Sequence, residues 1–178
     1  MRGILEDFLE YAGELRLSLA NASINQLVEE LTDFFVPTAE RAGVRLRVEL
    51  PDRSPAMEID VYHLKQALLN LMLNAVNAME SQDTGTKDLI LRVSKGVDED
   101  EHPCVSIHVT DTGPGIDEET QSKIFRPYFT TRSGGTGLGL PTARRIIEAH
   151  HGRLELYSEV GKGSDFVIVL PIKPAISG

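Results

Sequence analysis

Residues 61–80, VYHLKQALLNLMLNAVNAME, form the most informative stretch of this chain. Apolar residues recur in it at helical spacing, and Asp60 stands before it as an N-cap, so we predict one long helix. Asn70, Asn74 and Asn77 are separated by four and then three residues. At about 100° per residue, their side chains form one narrow row along the helix.

Aliphatic side chains border this asparagine row on both sides. Asparagine has a low helix propensity, so three asparagines on one face of a helix require an explanation. One interpretation is a polar ligand site, since an amide oxygen is a hard, neutral ligand suited to Mg²⁺. The other is a helix edge that hydrogen-bonds to a neighbouring loop. The bordering residues are Leu64, Leu68, Leu71, Ala75 and Met79 on one side, and Leu69, Leu73 and Val76 on the other.

Periodicity predicts the elements around this helix. We expect a loop through Asn21, Ser23 as the N-cap of a second helix, and Pro37 as a kink or interruption of that helix. Residues 111–136 read as a long functional loop with a short helix near 118–124. The further elements are helices over 4–12 and 138–150, and strands over 44–50, 89–93, 105–109, 153–158 and 164–170. This order predicts an α/β two-layer domain with a largely antiparallel sheet.

Composition excludes several classes of protein. The 178 residues carry 18 Lys+Arg against 27 Asp+Glu, a net charge of −9, which argues against a nucleic-acid-binding surface. Cys104 is the only cysteine, so an intrachain disulfide framework and a multi-cysteine zinc site are excluded. No apolar run approaches the ~18 residues of a membrane span. The acidic start does not resemble a signal peptide, and the amphipathic run directly after Met1-Arg2-Gly3 suggests an excised fragment.

Two glycine-rich loops follow the helix. Residues 111–116, Asp-Thr-Gly-Pro-Gly-Ile, come at a predicted strand end, where glycines allow close approach of a ligand and Asp111 can accept from an exocyclic amine. Residues 134–140, Gly-Gly-Thr-Gly-Leu-Gly-Leu, run into a helix, whose free N–H groups and dipole favour an anion. Taken alone, the first loop is equally a simple turn, and the second a flexible linker before a helix.

The segment between these loops, Phe125–Arg132, is rich in aromatic residues. Its aromatic side chains either anchor the loop to the core or belong to a mobile lid hinged at Gly134 and Gly135. In a lid, Arg132 would meet phosphate.

Together these strings resemble the ATP-binding catalytic domain of sensor histidine kinases. That superfamily includes DNA gyrase, the MutL repair proteins and the ninety-kilodalton heat-shock chaperone. Residues 70–75 resemble its N box, 111–116 and 135–140 its two glycine boxes, and 125–131 its F box. Gly161–Phe166 resembles a terminal glycine motif. The implied fold is the Bergerat-type two-layer sandwich, a mixed, mostly antiparallel sheet against helices.

The resemblance implies roles for the matching residues. Asn74 would ligate Mg²⁺, Asp111 would recognise the adenine amino group, and residues 125–134 would form the lid. Asn70, Asn74 and Arg132 would be the catalytic residues. The ATP-binding residues would be Asn70, Asn74, Asn77, Asp111, Gly113, Gly115, Ile116, Thr130, Thr131, Arg132, Gly135, Thr136, Gly137, Leu138, Gly139, Leu140 and Ser164.

Two positions depart from the superfamily pattern. ATPases of the superfamily carry a glutamate that activates water one turn before the metal-binding asparagine. Here that position is Asn70, which cannot act as a general base, so we expect poor hydrolysis. Related kinases often carry a basic residue where this chain has Asn77, so phosphate contacts would depend more on Arg132.

None of the five histidines is followed by Asp or Glu, as the family's phosphorylated histidine is. We expect the acceptor histidine on an upstream dimerisation domain, and a capping role for His150-His151-Gly152 at a helix end. Residues 1–20 would be the tail of the dimerisation helix and a linker, and residues 21–178 the catalytic domain.

The resulting prediction is a protein-histidine kinase domain that binds Mg-ATP and supplies the γ-phosphoryl to that histidine. A response regulator receiver domain would then take it, in the cytoplasm, and the isolated fragment would be monomeric. Two alternatives stay open. One is a stand-alone protein-serine kinase or anti-sigma factor of the same superfamily, and the other a nucleotide-gated interaction module without catalysis.

Overall fold

The structure, a computed structural model, describes residues 3–83, 85–132 and 135–172, and its elements within those ranges follow. The helices are α1 (Ile4–Ala12), α2 (Ile24–Arg41), α3 (Val61–Met79), α4 (Glu118–Gln121) and α5 (Gly139–Ala149). The strands are β1 (Ala20–Ser23), β2 (Arg45–Glu49), β3 (Ala56–Ile59), β4 (Asp88–Val97), β5 (Pro103–Asp111), β6 (Arg153–Glu159) and β7 (Gly163–Pro171).

Five of these strands form one mixed sheet in the order β2-β4-β5-β7-β6. β2 runs parallel to β4, and the other three pairs are antiparallel. Alternate residues of the central strands, such as Leu91, Ile107 and Ile168, are buried and share one core with the helices. The predicted α/β sandwich with a mostly antiparallel sheet is therefore confirmed.

The long helix α3 is the centre of the helical layer. It begins as predicted, because the Asp60 carboxylate accepts a hydrogen bond from the His63 N–H at 3.0 Å. The predicted apolar face is buried, with Leu64, Leu68 and Leu71 all inaccessible to solvent. α3 contacts α2, α5, β4 and β5, so the placement of its exposed edge is fixed from several sides.

His150 joins the start of α3 to the end of α5. Its Nε2 accepts from the Asp60 N–H at 3.0 Å, and its Nδ1 lies 2.8 Å from the Ile146 carbonyl oxygen. Because a carbonyl only accepts, the ring carries its proton on Nδ1 and both bonds are satisfied by the neutral imidazole. His150 is also the C-cap residue of α5, so the predicted capping role is confirmed.

The N-terminal helix α1 matches the predicted 4–12, and the Gly13 N–H closes it on the Leu9 carbonyl at 2.8 Å. The Arg145 guanidinium of α5 donates to the Tyr11 carbonyl at the end of α1. Within the described ranges, no helix combines the length and hydropathy that a bilayer crossing requires.

The region before α2 differs from the prediction. Ala20 and Asn21, expected in a loop, begin β1, which pairs antiparallel with β3. β3 was not predicted from the sequence. Each strand has only four residues, and β1 contains no β-branched or aromatic residue, so local propensity gives no signal. Pairing between segments distant in sequence is what makes them strands.

Pro37 does not interrupt α2, so the expected interruption was wrong. The helix continues through it to Arg41, held on its core side by the buried residues Leu31, Phe35 and Ala39. Pro37 and Asp33, whose carbonyl loses its helical partner, are both exposed. Water can therefore satisfy that carbonyl, and packing outweighs the local defect.

Two leucines of α3 test which face of this helix is structural. Leu71 is 0% exposed in the core, whereas Leu73 is 37% exposed. Leu71→Ala should lower the free energy of unfolding by about 2–5 kcal/mol, because it leaves a cavity. Leu73→Ala, two residues away on the other face, should cost well under half of that. Denaturant unfolding of both variants is the measurement, and equal losses would contradict the assignment.

Candidate functional site

A cavity of about 560 Å³ lies between α3, the loop after α4 and the start of α5. It is lined by twelve of the predicted site residues, which come from three separate stretches of sequence. Those residues are Asn70, Asn74, Asn77, Thr130, Thr131, Arg132 and Gly135 to Leu140; Leu69, Leu73, Ile124, Phe129, Pro141 and Thr142 complete the lining.

The asparagine row forms the polar wall of this cavity. The Asn70 side-chain amide donates to the Gly139 carbonyl at 3.2 Å, which ties α3 to the start of α5. Asn74 and Asn77 are half-buried, and their amides form no hydrogen bond within residues 3–83, 85–132 and 135–172. The helix-edge interpretation therefore holds for Asn70, whereas Asn74 and Asn77 are available to a ligand.

The donor set fits a magnesium ion that takes part of its coordination from phosphate. No carboxylate is among the described lining residues, so the protein would contribute neutral amide oxygen, with Asn74 near the middle of the wall. Mg²⁺ keeps several waters and binds readily through one or two protein ligands plus substrate phosphates.

The start of α5 supplies donors for an anion. Its N-cap, Leu138, makes no side-chain capping bond, so the Gly139 and Leu140 N–H groups remain uncapped at the cavity, and the next residue, Pro141, has no N–H. Gly137 has φ of +74°, and a Cβ there would collide with the backbone of Tyr128. Since the Tyr128 N–H also bonds the Gly137 carbonyl at 3.0 Å, this glycine brings the loop against the start of α5.

Arg132 approaches the cavity from the predicted lid. Its Nη2 lies 3.8 Å from Glu80 Oε2 just after α3, and both side chains are about half exposed, so the pair is weak. Thr130 Oγ1 accepts from the Arg132 N–H at 3.0 Å and shapes the turn. Gly134, the other predicted hinge, lies outside the described residues.

Asp111 ends β5 on the inner face of the sheet and is only 3% exposed. Its Oδ1 accepts from the Gly113 N–H at 2.9 Å. Burial raises the pKa of the Asp111 carboxyl to about 6, although hydrogen bonds from the Gly113 and Ser164 N–H groups favour the charged form. At neutral pH it is a desolvated carboxylate, an acceptor for a ligand amine.

Asp111 and its loop belong to a second group of site residues at the far end of α3. Gly113 and Ser164 are direct neighbours of Asp111, whereas Gly115 lies against Glu159 and Ile116 bonds Ser158; none of these four predicted residues lines the cavity described above. The Thr112 hydroxyl lies 3.8 Å from the Met79 sulfur, so this group adjoins the last residue of α3. At ~1.5 Å per residue, Met79 is about 13 Å along the helix from Asn70.

Sequence reasoning missed two residues that hold this second group together. Ser158 of β6 accepts from the Ile116 N–H at 2.8 Å, and Gln121 of α4 donates to the Ile116 carbonyl at 2.7 Å. A signal for Ser158 was present, because it occupies an inward position of a strand whose other inward residues are Leu154 and Leu156.

The raised pKa of Asp111 predicts how stability depends on pH. Between about pH 4 and pH 6 the folded state keeps a proton that the unfolded state has lost, so this group lowers stability as pH rises. The loss is complete above pH ~6 and is on the order of 3 kcal/mol. Asp111→Asn removes this contribution. The unfolding free energy of the variant minus that of the wild type should therefore increase from pH 4 to pH 7, and parallel pH profiles would contradict the burial argument.

Comparison with known proteins identifies the family. Residues 59–174 match the family of histidine kinase-, DNA gyrase B- and HSP90-like ATPases. The signal transduction histidine-protein kinase AtoS of Escherichia coli K12 is 36% identical over 175 residues, covering 96% of this chain and 27% of AtoS. Full-length ShkA, solved in complex with AMPPNP, superposes with a TM-score of 0.82 at 28% identity, over 97% of this chain and 36% of ShkA.

A third relative is the histidine kinase ThkA, solved in complex with the response regulator protein TrrA. It superposes with a TM-score of 0.77 at 28% identity, over 97% of this chain and 47% of ThkA. The chain thus spans between about a quarter and a half of these proteins. The predicted resemblance is confirmed: this chain belongs to the family of histidine kinase-, DNA gyrase B- and HSP90-like ATPases, as a catalytic domain of the sensor histidine kinase type.

Proposed function

We propose that this chain binds Mg-ATP and transfers its γ-phosphoryl to a histidine on a dimerisation domain outside this chain. The observation that carries the proposal is the combination of free amides and free helix N–H groups in one cavity. The buried Asp111 carboxylate lies outside the cavity lining, close to Met79, which is about 13 Å along the same helix from Asn70. That arrangement suits a ligand with an amine-bearing base at one end and a charged phosphate chain at the other.

Each end of the site has a defined task in this proposal. Asp111 accepts from the adenine amino group, while the N–H groups at the start of α5 and the guanidinium of Arg132 hold phosphate oxygens. The Asn74 amide oxygen is the protein ligand for Mg²⁺. The bound ion would neutralise charge on the phosphate oxygens during transfer.

Asn70 fits transfer better than hydrolysis. Its amide is neutral and is engaged with the Gly139 carbonyl, so it positions the second glycine loop and cannot remove a proton from water. No Asp or Glu is among the described residues of the cavity lining. Catalysis would therefore consist of positioning and charge stabilisation, with base chemistry supplied by the acceptor domain.

The comparisons support the identity of the partners. ShkA binds AMPPNP, an analogue of ATP, and ThkA forms a complex with a response regulator. By extension, a receiver domain would take the phosphoryl from the acceptor histidine, in the cytoplasm. We further propose that residues 1–20 are the end of a dimerisation helix and its linker, and that residues 21–178 are the catalytic domain.

The direct test is transfer of labelled γ-phosphoryl from ATP to a separately purified histidine-bearing dimerisation domain. We expect phosphorylation of that domain on histidine, with little free phosphate when it is omitted. Nucleotide binding without transfer to any supplied acceptor would favour a nucleotide-gated interaction module, and transfer to serine would favour the anti-sigma type of kinase.

Asn74→Asp tests the metal role. A carboxylate is a stronger ligand for Mg²⁺ than an amide but repels phosphate when the ion is absent. We expect ATP affinity to become more dependent on magnesium, with binding in EDTA weakened about tenfold, equal to ~1.4 kcal/mol.

Asn21→Asp is the matched control for this charge change, since Asn21 is exposed on β1 away from the cavity. Its magnesium titration should coincide with that of the wild type. If the Asn74→Asp curve also coincides, Asn74 does not bind the metal.

A further inference from the structure

The hydroxyl of Ser158 has three hydrogen-bonding partners. The Ile116 N–H lies 2.8 Å from Ser158 Oγ, the Gly163 carbonyl oxygen 3.0 Å, and the Ser164 hydroxyl oxygen 2.7 Å. A serine hydroxyl has one proton to donate and two lone pairs to accept with, so three partners satisfy it completely.

The chemistry of the partners fixes the direction of each bond. The Ile116 N–H can only donate, and the Gly163 carbonyl can only accept. Ser158 therefore donates its single hydroxyl proton to the Gly163 carbonyl oxygen. The remaining bond, between the two hydroxyls, must be donated by Ser164, whose own proton then points at Ser158 and away from any ligand.

Ser164 stands beside the carboxylate that the proposed function assigns to the base. Asp111, Ser164 and Ser158 are cross-strand neighbours in one row, on strands β5, β7 and β6. Neighbouring Cα atoms in such a row are about 5 Å apart. Ser164 is 6% exposed, and its backbone N–H favours the charged form of the Asp111 carboxyl and so lowers its pKa. Since its proton is directed at Ser158, the Ser164 hydroxyl can act only as an acceptor near Asp111.

We propose that Ser158 is a positioning residue that makes Ser164 an obligatory acceptor, so that the base site selects a 6-amino purine over a 6-oxo purine. In the proposed site, the Asp111 carboxylate and the oxygen of its cross-strand neighbour Ser164 would both present acceptors to the base. An exocyclic amine satisfies them, whereas the carbonyl oxygen of a 6-oxo purine meets lone pairs only. A 6-oxo purine would leave these buried acceptors unpaired. The free-energy cost of unpaired buried acceptors is what lowers the affinity of a polar site for such an analogue.

This inference rests on the proposed function, and the test separates the two. The dissociation constants of ATP and inosine triphosphate are measured by calorimetry for the wild type and for Ser158→Ala, at about pH 8. Without Ser158, the Ser164 hydroxyl can turn and donate to the 6-oxo group. We expect ATP affinity to fall about 3- to 10-fold, the worth of one hydrogen bond, and the ATP preference over inosine triphosphate to fall by at least as much.

Two further variants make the result specific. Ser158→Thr keeps the hydroxyl and should restore the ATP preference. Tyr157→Phe, on the same strand, removes a hydroxyl that donates to Glu155 at 2.9 Å, and Tyr157 faces the opposite side of the sheet. Its ATP preference should equal that of the wild type.

Ser158 also anchors the Ile116 loop, and that role alone predicts a different result. If Ser158→Ala weakens both nucleotides equally, Ser158 is a loop anchor and the proposal is overturned. If Ser158→Ala fails to fold, Ser164→Ala replaces it: a lower ATP preference supports the oriented acceptor, and an unchanged preference overturns it. Failure of the wild type to bind ATP would instead overturn the proposed function.

Discussion

The helix α3 packs its aliphatic faces into the core and presents a row of asparagine amides to the cavity. The rest of the structure depends on this division of its surface. Its aliphatic faces are packed against α2, α5 and the sheet, so rotation of the helix would expose leucines. That constraint holds the narrow row of amides at the cavity edge. The bond from Asn70 to Gly139, and the imidazole of His150 between α3 and α5, then set the spacing of the two helices that border the cavity.

At the other end of the site, a carboxylate is buried at an electrostatic cost. Asp111 is buried, and no cationic side chain among the described residues forms an ion pair with it. Backbone N–H groups alone favour its charged form, which leaves its pKa near 6. A ligand amine would supply the missing donor, so the group that lowers the stability of the free domain is also the one best placed to recognise a base.

Much of this could be predicted from the sequence, and the exceptions share a physical cause. α3, α5 and the central strands follow from local periodicity, whereas the set of cavity residues also required the family resemblance that the asparagine row and the glycine-rich strings carry. The β1–β3 pair, the passage of α2 through Pro37, and the Ser158 junction depend on contacts between segments distant in sequence. Local helix and strand propensities carry no information about such contacts. Asn74 and Arg132 both line the cavity, and their roles there remain predictions.

Calorimetric titration of this chain with ATP, with and without Mg²⁺, decides whether the cavity between α3 and α5 binds a nucleotide. We expect saturable binding that magnesium strengthens, with phosphate release too slow to register during the titration. Absence of binding in both conditions, for the folded chain, would contradict the assignment of the cavity between α3 and α5 to a nucleotide. Rapid phosphate release would contradict the conclusion that this site lacks a base and is built for transfer.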